Sequence, residues 1–405
     1  MTGPGPAAGL VHGMGKELVE PDWAPLTGDE VGAVLARYGL PGGHDLAASG
    51  TGPGAGPRTG AVVAWSSPRP MSAASLIGHG TGTGTGTVFV KRHHVRVRSA
   101  AQLAAEHAFA THLRASGLPV PAVWRTPAGR TVVREGDFVY EVHEVAAGID
   151  LYRDAMSWTP FVSTGHARAA GAALARLHQA AAGFRGPARS PGVLTSSCDV
   201  ITAADPLAAV DAIARRRPGL ARYLAGRDWR GDLAREHLPV IRRAAPLLGA
   251  LEPQWGHGDW HPSNLTWDSV GPDAEVVAVF DFGLANRTFA VHDLAIALER
   301  SAIGWLDLAE TGQAGVDTGG MDALLDGYQA VRPLSPAEAR ALPEVLPVVH
   351  LEYALSEVEY FADVVASPGL ADLAYDAYLI GHTRWFADPD GAAMLGRLRQ
   401  REPVS

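Results

Sequence analysis

One stretch of the chain carries most of its chemistry. It runs His257-Gly258-Asp259-Trp260-His261-Pro262-Ser263-Asn264, and after a short interval Val276-Val277-Ala278-Val279-Phe280-Asp281-Phe282-Gly283. Phosphoryl transfer needs a carboxylate that takes a hydroxyl proton and oxygen donors that hold magnesium, and Asp259, Asn264 and Asp281 supply them in that order. The spacing also constrains the local fold. Leu265 to Asp268 reads as a short strand, Ser269 to Asp273 as a turn cluster, and Glu275 to Phe280 as a β-branched strand. In a symmetric antiparallel hairpin Asp268 opposes Val277, Thr266 opposes Val279, and Asn264 opposes Asp281. Two oxygen donors meeting at the open end of a hairpin suit Mg²⁺, which takes few protein ligands beside substrate phosphates. A bulge would shift that register by one residue.

Two plainer readings use the same residues. One is a surface hairpin with incidental carboxylates. The other is a metallohydrolase ligated by His257, Asp259 and His261, which requires further ligands; none of the sixteen histidines falls in a recognisable metal motif.

Lysine usage adds an independent signal. Of 34 basic residues only Lys16 and Lys91 are lysine. Lys91 ends the apolar run Thr87-Val88-Phe89-Val90, where a compact ammonium on a flexible stem reaches phosphate in a way arginine does not match. Ser99-Ala100-Ala101-Gln102 opens a capping box, and an Ala-rich helix continues to Ser116, with Gly117 as its stop and Pro119 beyond. Glu106 lies in the second turn of that helix and is the natural ion-pair partner of Lys91. Glu135, Glu141 and Glu144 compete but sit on or beside strands.

These pieces together resemble the aminoglycoside phosphotransferase and choline kinase-like superfamily. The resemblance rests on Phe89-Val90-Lys91, Glu106 with Gly117-Leu118-Pro119-Val120-Pro121, Leu174-Ala175-Arg176-Leu177-His178, the His257 to Asn264 block, and Asp281 with Asp293-Leu294-Ala295. It covers about residues 60–300. It implies an α+β, two-lobed protein kinase-like fold: a small β-rich N-terminal lobe with one key helix and a larger, mainly helical C-terminal lobe. It implies ATP and Mg²⁺ as cofactors and a small-molecule hydroxyl as acceptor, with ATP lying between the lobes. By the same resemblance Asp259 is the catalytic base, Asn264 and Asp281 are magnesium ligands, and Lys91, paired with Glu106, contacts nucleotide phosphate. His257 braces the catalytic loop, Asp293 steadies it from a helix start, and backbone groups from Glu144 to Ala146 hold the adenine. His261 matches a histidine common in the small-molecule branch. A protein Ser/Thr acceptor and an inactive binding module on the same scaffold remain open alternatives.

The phosphate loop departs from pattern. No Gly-x-Gly-x-x-Gly lies one strand before Lys91. Gly80 to Gly86, an alternating Gly-Thr run, ends too close to Lys91 and reads as a flexible strand-to-strand insertion. The stretch Ser66 to Ala74 is the better placed candidate, through its backbone N–H groups, Arg69 or the Ser72 hydroxyl; a plain hairpin turn fits it equally. Gly13-Met14-Gly15-Lys16-Glu17 lacks the Ser or Thr that a Walker A motif carries after its Lys.

Composition agrees with a cytoplasmic enzyme. Cys198 is the single cysteine, so no intrachain disulfide forms. No run of eighteen apolar residues suggests a membrane span, and no basic segment leads into an apolar core at the N-terminus. A net charge of −9 argues against a nucleic-acid partner, and the basic run Lys91 to Arg98 reads as an edge strand with solvated charges. The expected organisation is a disordered tail over 1–20, a nucleotide-binding lobe over 21–145 with flexible insertions near 48–60 and 79–87, and a helical lobe over 146–400. In that lobe, Leu351 to Asp363 places Glu352, Ser356, Glu359 and Asp363 along one helix face, with Leu351, Leu355 and Val358 opposite. Glu352, Glu359 and the nearby Glu357 are candidates for an acidic wall facing a cationic acceptor; a merely wet helix face is the alternative. Composition leaves the oligomeric state open.

Overall fold

The computed structural model describes residues 11–12, 18–40, 62–67, 71, 73–81, 84–190 and 192–401. Its first strands, β1 (Val11–His12) and β2 (Leu18–Val19), pair antiparallel, so part of the segment expected to be a disordered tail is strand. The chain divides into two units, Met1–Arg114 with Val120–Ala147, and Ala115–Pro119 with Gly148–Ser405.

The N-terminal unit is built on a five-stranded antiparallel sheet of β3 (Val62–Ser66), β4 (Ala73–Thr81), β5 (Gly84–His94), β6 (Val133–Glu135) and β7 (Phe138–Glu144), in the order β3-β4-β5-β7-β6. Helix α1 (Gly28–Arg37) starts with a capping box in which Thr27 and Glu30 satisfy each other's backbone N–H. Its apolar face, with Val31, Val34 and Leu35, packs with Val88, Val90 and Val142 of the sheet. Helix α2 (Ala100–Ala115) begins as its sequence requires: Ser99 N–H donates to Gln102 Oε1 at 2.9 Å, and Gln102 N–H to Ser99 Oγ at 3.2 Å.

Two sequence expectations change here. The Gly-Thr run is not a floppy insertion at its ends, because Gly80 pairs with Thr85 and Thr81 with Gly84, prolonging the β4–β5 hairpin; Gly82 and Thr83 lie outside the described residues. Backbone ladders form without side-chain help where both strands already run in register. The basic run is not an edge strand either. Strand β5 sits between β4 and β7, and two of its polar side chains are buried against partners: Arg92 donates to Glu30 at 2.7 Å and lies over the Phe138 ring at 4.5 Å, while His93 contacts Glu141 at 2.9 Å.

The C-terminal unit is mainly helical, with two short two-stranded pieces. Strand β8 (Gln254–Gly256) pairs with β11 (Asn286–Thr288), and β9 (Leu265–Trp267) with β10 (Val276–Val279). Helix α3 (Thr164–Ala181), N-capped by Ser163, brings His178 to the helix Ala290–Ser301. Among the described residues no helix is long and apolar enough to cross a membrane.

Candidate active site

The loop from His257 to Asn264 connects β8 to β9, and one buried carboxylate holds its start. Asp293, fully buried in the first turn of Ala290–Ser301, accepts the His257 N–H at 2.7 Å and the Gly258 N–H at 2.8 Å. His178 Nε2 lies 2.9 Å from the same carboxylate, and its Nδ1 lies 2.8 Å from the Tyr328 hydroxyl. Burial alone would raise the Asp293 carboxyl; the bond to His178 and the backbone N–H groups outweigh it and hold the group below its usual range. Gly258 has φ +75°, and a Cβ there would meet the Leu284 carbonyl oxygen at 2.3 Å, so the turn admits glycine only. The Asp259 N–H points to His257 Nδ1 at 3.2 Å, which leaves Nε2 to donate to the Phe280 carbonyl at 3.0 Å. His257 thus joins the loop to the strand leading to Asp281.

Asp259 sits beside a residue that sequence reading missed. The Arg300 guanidinium is 3.0 Å from Asp259 Oδ1, and both are largely buried. The contact is an ion pair without hydrogen-bond alignment, so Oδ1 remains a buried oxygen with no hydrogen bond. Burial pushes the Asp259 carboxyl up, but Arg300 and then His261 and His257 pull it far below the ordinary carboxylate range. Arg300 is itself held over the Trp158 ring at 4.6 Å and the Tyr353 ring at 5.4 Å. An arginine forty-one residues downstream carries no local motif, in a chain whose basic residues are nearly all arginine.

Asn264 ends the loop. Its amide nitrogen donates to the Asp259 carbonyl at 2.9 Å and lies 3.0 Å from His261 Nε2, so its amide oxygen is the atom available to an ion. His261 Nδ1 lies 3.0 Å from Ser263 Oγ, which orients the imidazole within the loop. The hairpin register differs from the symmetric one. Trp267 opposes Val276, but Thr266 opposes Ala278 and Leu265 opposes Val279, with a bulge at Val277. The bulged Val277 covers Gly148, where a Cβ would lie 2.2 Å from Val277 Cγ2. Phe280, not Asp281, therefore faces Asn264, and its N–H donates to the Asn264 carbonyl at 3.2 Å. Asp281 follows at φ +57°, a left-handed conformation that costs roughly 1 kcal/mol for a residue with a Cβ. An exposed carboxylate and an amide oxygen at this end of the hairpin are a hard-oxygen donor set that fits Mg²⁺. Histidine ligation through His257 and His261 fits less well, because both imidazoles are engaged in bonding within the loop and to β10.

In the N-terminal unit, Lys91 is half-buried on β5, paired in the ladder with Ala74 and Glu141. That sheet face looks at α2, since Glu141 contacts His107 of α2 at 2.6 Å; Glu106 is buried on the same helix. The connection between β3 and β4 occupies the place expected of a phosphate loop, with β4 between it and the strand of Lys91, but Ser72 lies outside the described residues. Glu144 closes β7. Its N–H donates to the Ala122 carbonyl at 2.9 Å and its carboxylate accepts from Ala122 N–H at 3.1 Å; Ala146 is half-buried just after.

The helix Leu351–Glu359 is neither a wet face nor an acidic wall. It is buried on every side: Glu352, Ser356, Glu357 and Glu359 are all within the interior. Glu352 accepts from Ser197 Oγ and from the Val200 N–H at 2.6 Å, and Glu359 pairs with Arg217. The helices Asp199–Thr202 and Pro218–Leu224 cover the face that composition leaves open. Glu357 hydrogen-bonds Tyr353; burial raises it to about 7, against the pull of Arg300.

Comparison with known proteins follows the same lines. A model of the phosphotransferase enzyme family matches residues 79–334. A homoserine kinase of Methylobacterium nodulans is 31% identical over 281 residues, covering 67% of this chain and 75% of that protein. A protein of Deinococcus radiodurans with no assigned function is 29% identical over 255 residues, and the chain spans 64% of its length. Among solved structures, an amicoumacin kinase in complex with AMP-PNP, Ca²⁺ and Ami superposes with a TM-score of 0.51 at 16% identity, over 91% of each chain, and so shares the two-lobed kinase-like fold.

Two outcomes follow from these contacts. Asp293→Ala leaves two backbone N–H groups and His178 without their acceptor, and chemical denaturation should show a loss of about 3–5 kcal/mol; a loss under about 1 kcal/mol would mean the loop is held by something else. Glu352 is raised to about 8 by burial and then by the Asp199 carboxylate, against about 4.5 unfolded. The folded state keeps its proton where the unfolded state releases it, so stability falls as pH rises from about 5 to 8, by at most about 1.4 kcal/mol per unit. Glu352→Gln should remove that part of the slope, and parallel wild-type and variant stability curves across this window would contradict it.

Proposed function

Because the chain belongs to the phosphotransferase enzyme family, we propose that it moves the γ-phosphate of ATP to a hydroxyl of a small molecule, with Asp259 as the base. The observation that carries the reading is Asp259 Oδ1: a buried, ionised oxygen with no hydrogen bond, on a loop clamped by Asp293 and tied to Asn264. That is the state required of a group that receives a hydroxyl proton.

The reaction is an in-line displacement. The acceptor oxygen bonds to the γ-phosphorus, the bond from that phosphorus to the bridging oxygen of ADP breaks, and the hydroxyl proton passes to Asp259. Arg300 keeps Asp259 ionised and fixed, which makes it a weak base but a well-placed one. Such a base suits a loose transition state, in which the proton leaves late and positioning dominates. Lys91 contacts nucleotide phosphate and Glu106 orients it. Mg²⁺, when bound, neutralises phosphate charge; Asn264 and Asp281 are the residues that would hold it.

The acceptor class to test first is a small amino alcohol such as homoserine. Relatives bearing that name support it, at 31% identity over two thirds of this chain. Antibiotics, aminoglycosides and sugars carry the same reactive group and form the comparison set. Purified protein with γ-labelled ATP and each acceptor should give a labelled phosphomonoester with at least one small molecule. Label confined to added protein substrates would move the reading to a protein kinase. Lys91→Ala should raise KM for ATP about tenfold or more, as loss of one charge-assisted contact does, with the fold unchanged by circular dichroism; an unaltered KM would remove Lys91 from the phosphate site.

A further inference from the structure

One buried cluster in the C-terminal unit takes no part in this chemistry. Glu299, from the helix Ala290–Ser301, His350, just before Leu351–Glu359, and His382, at the start of His382–Trp385, are each at most 8% exposed. One ligand atom from each lies within 4.8 Å of the others. His350 is the telling member. Its Nε2 lies 3.2 Å from the Leu379 carbonyl, which fixes the ring proton there and leaves the lone pair on Nδ1. Nδ1 is buried with no hydrogen-bond partner. An imidazole whose one N–H is held by a backbone carbonyl, with its other nitrogen unengaged, is the arrangement that orients metal-binding histidines.

The surroundings fix the other two side chains. His382 Nδ1 lies 3.0 Å from Glu299 Oε1, and its ring stacks on Trp305 at 3.5 Å. Tyr378 stacks on His350 at 5.2 Å and meets His382 edge-on at 4.7 Å. Leu379 belongs to a π-helical segment, Ala374–Gly381, a coil form that concentrates at functional sites. Burial keeps both imidazoles neutral, the ligating form. Arg300, the next residue along, is already compensated by Asp259.

A second cluster shows the contrast. In the N-terminal unit Glu141 is met by His93 at 2.9 Å, His107 at 2.6 Å and His143 at 2.8 Å. There all three Nε2 atoms meet the one carboxylate, and His107 Nδ1 is the nitrogen left without a partner. At Glu299 only His382 bonds the carboxylate, and the unpartnered Nδ1 belongs to the ring that does not, His350.

We propose that Glu299, His350 and His382 bind one Zn²⁺-type divalent cation, separate from the magnesium of the transfer reaction. Two imidazoles and a carboxylate suit such an ion, with water in a fourth position, whereas Mg²⁺ prefers oxygen throughout. Binding takes the Glu299 side chain as carboxylate, so any proton it carries goes to solvent. The ion fixes the end of the helix that presents Arg300 to Asp259.

The test is a ZnCl₂ titration of chelator-treated full-length protein against a chromophoric competitor, beside Glu299→Gln, His382→Gln and Asp281→Asn. The expected result is one tight equivalent in wild type, retained in Asp281→Asn, with affinity at least about 100-fold lower in the other two variants, since outer-shell changes alone cost 10–100-fold. No tight site in wild type, equal binding by Glu299→Gln and His382→Gln, or loss in Asp281→Asn alone would each overturn the proposal. Should a variant fail to fold, Co²⁺ added to wild type decides: strong visible absorption of a four- or five-coordinate ion supports the site, and only the faint bands of an octahedral ion overturn it. Neither arm uses ATP or an acceptor, so failure here leaves the transfer reading untouched.

Discussion

The carboxylate of Asp293 is the interaction on which the site depends. It lies fully buried at a helix start, where the free N–H groups favour an anion. It accepts two successive N–H groups of the loop before Asp259 and meets His178 from α3. Three elements distant in sequence therefore share one acceptor. The loop it holds has no regular ladder to stiffen it, and with Gly258 in a left-handed turn few other conformations remain. The placement of Asp259 thus depends on a carboxylate from a distant helix.

Around that loop the C-terminal unit manages an unusual density of buried charge. Asp259 is offset by Arg300, and Arg300 is wrapped by Trp158 and Tyr353. Glu299 and Glu357 have both been raised to about 7 by burial, so they add less negative charge than their number suggests. An interior built this way keeps one carboxylate charged and lets its neighbours remain partly protonated near neutral pH. Environment separates residues of the same type into different roles.

Much of this was legible in the chain. The order Asp259, Asn264, Asp281, the short strands flanking the turn at 269–273 and the capped start of α2 follow from local signals of spacing, turn residues and capping residues, whereas the place of Asp293 comes only from the family resemblance. What sequence misjudged depends on contacts between distant segments. A bulge at Val277, locked over Gly148 more than a hundred residues earlier, moves Asp281 one place from the position symmetry assigns. The basic strand is central because β7 pairs beside it. The acids of Leu351–Glu359 are buried because short helices near residues 200 and 220 cover them, and Arg300 reaches Asp259 only once its helix has packed. Helical periodicity shows which residues share a face, and is silent on what will cover it.

The central claim is that Asp259 receives the acceptor proton and that its neighbours exist to hold it there. Asp259→Asn tests this most directly, because it keeps the size of the side chain and removes its charge. ATP binding by calorimetry and turnover with the best acceptor should be measured on the same preparation. The account predicts nucleotide affinity close to wild type and turnover lower by about 10² or more. Near-normal turnover with intact binding would contradict it, and would leave Asp259 as a structural partner of Arg300.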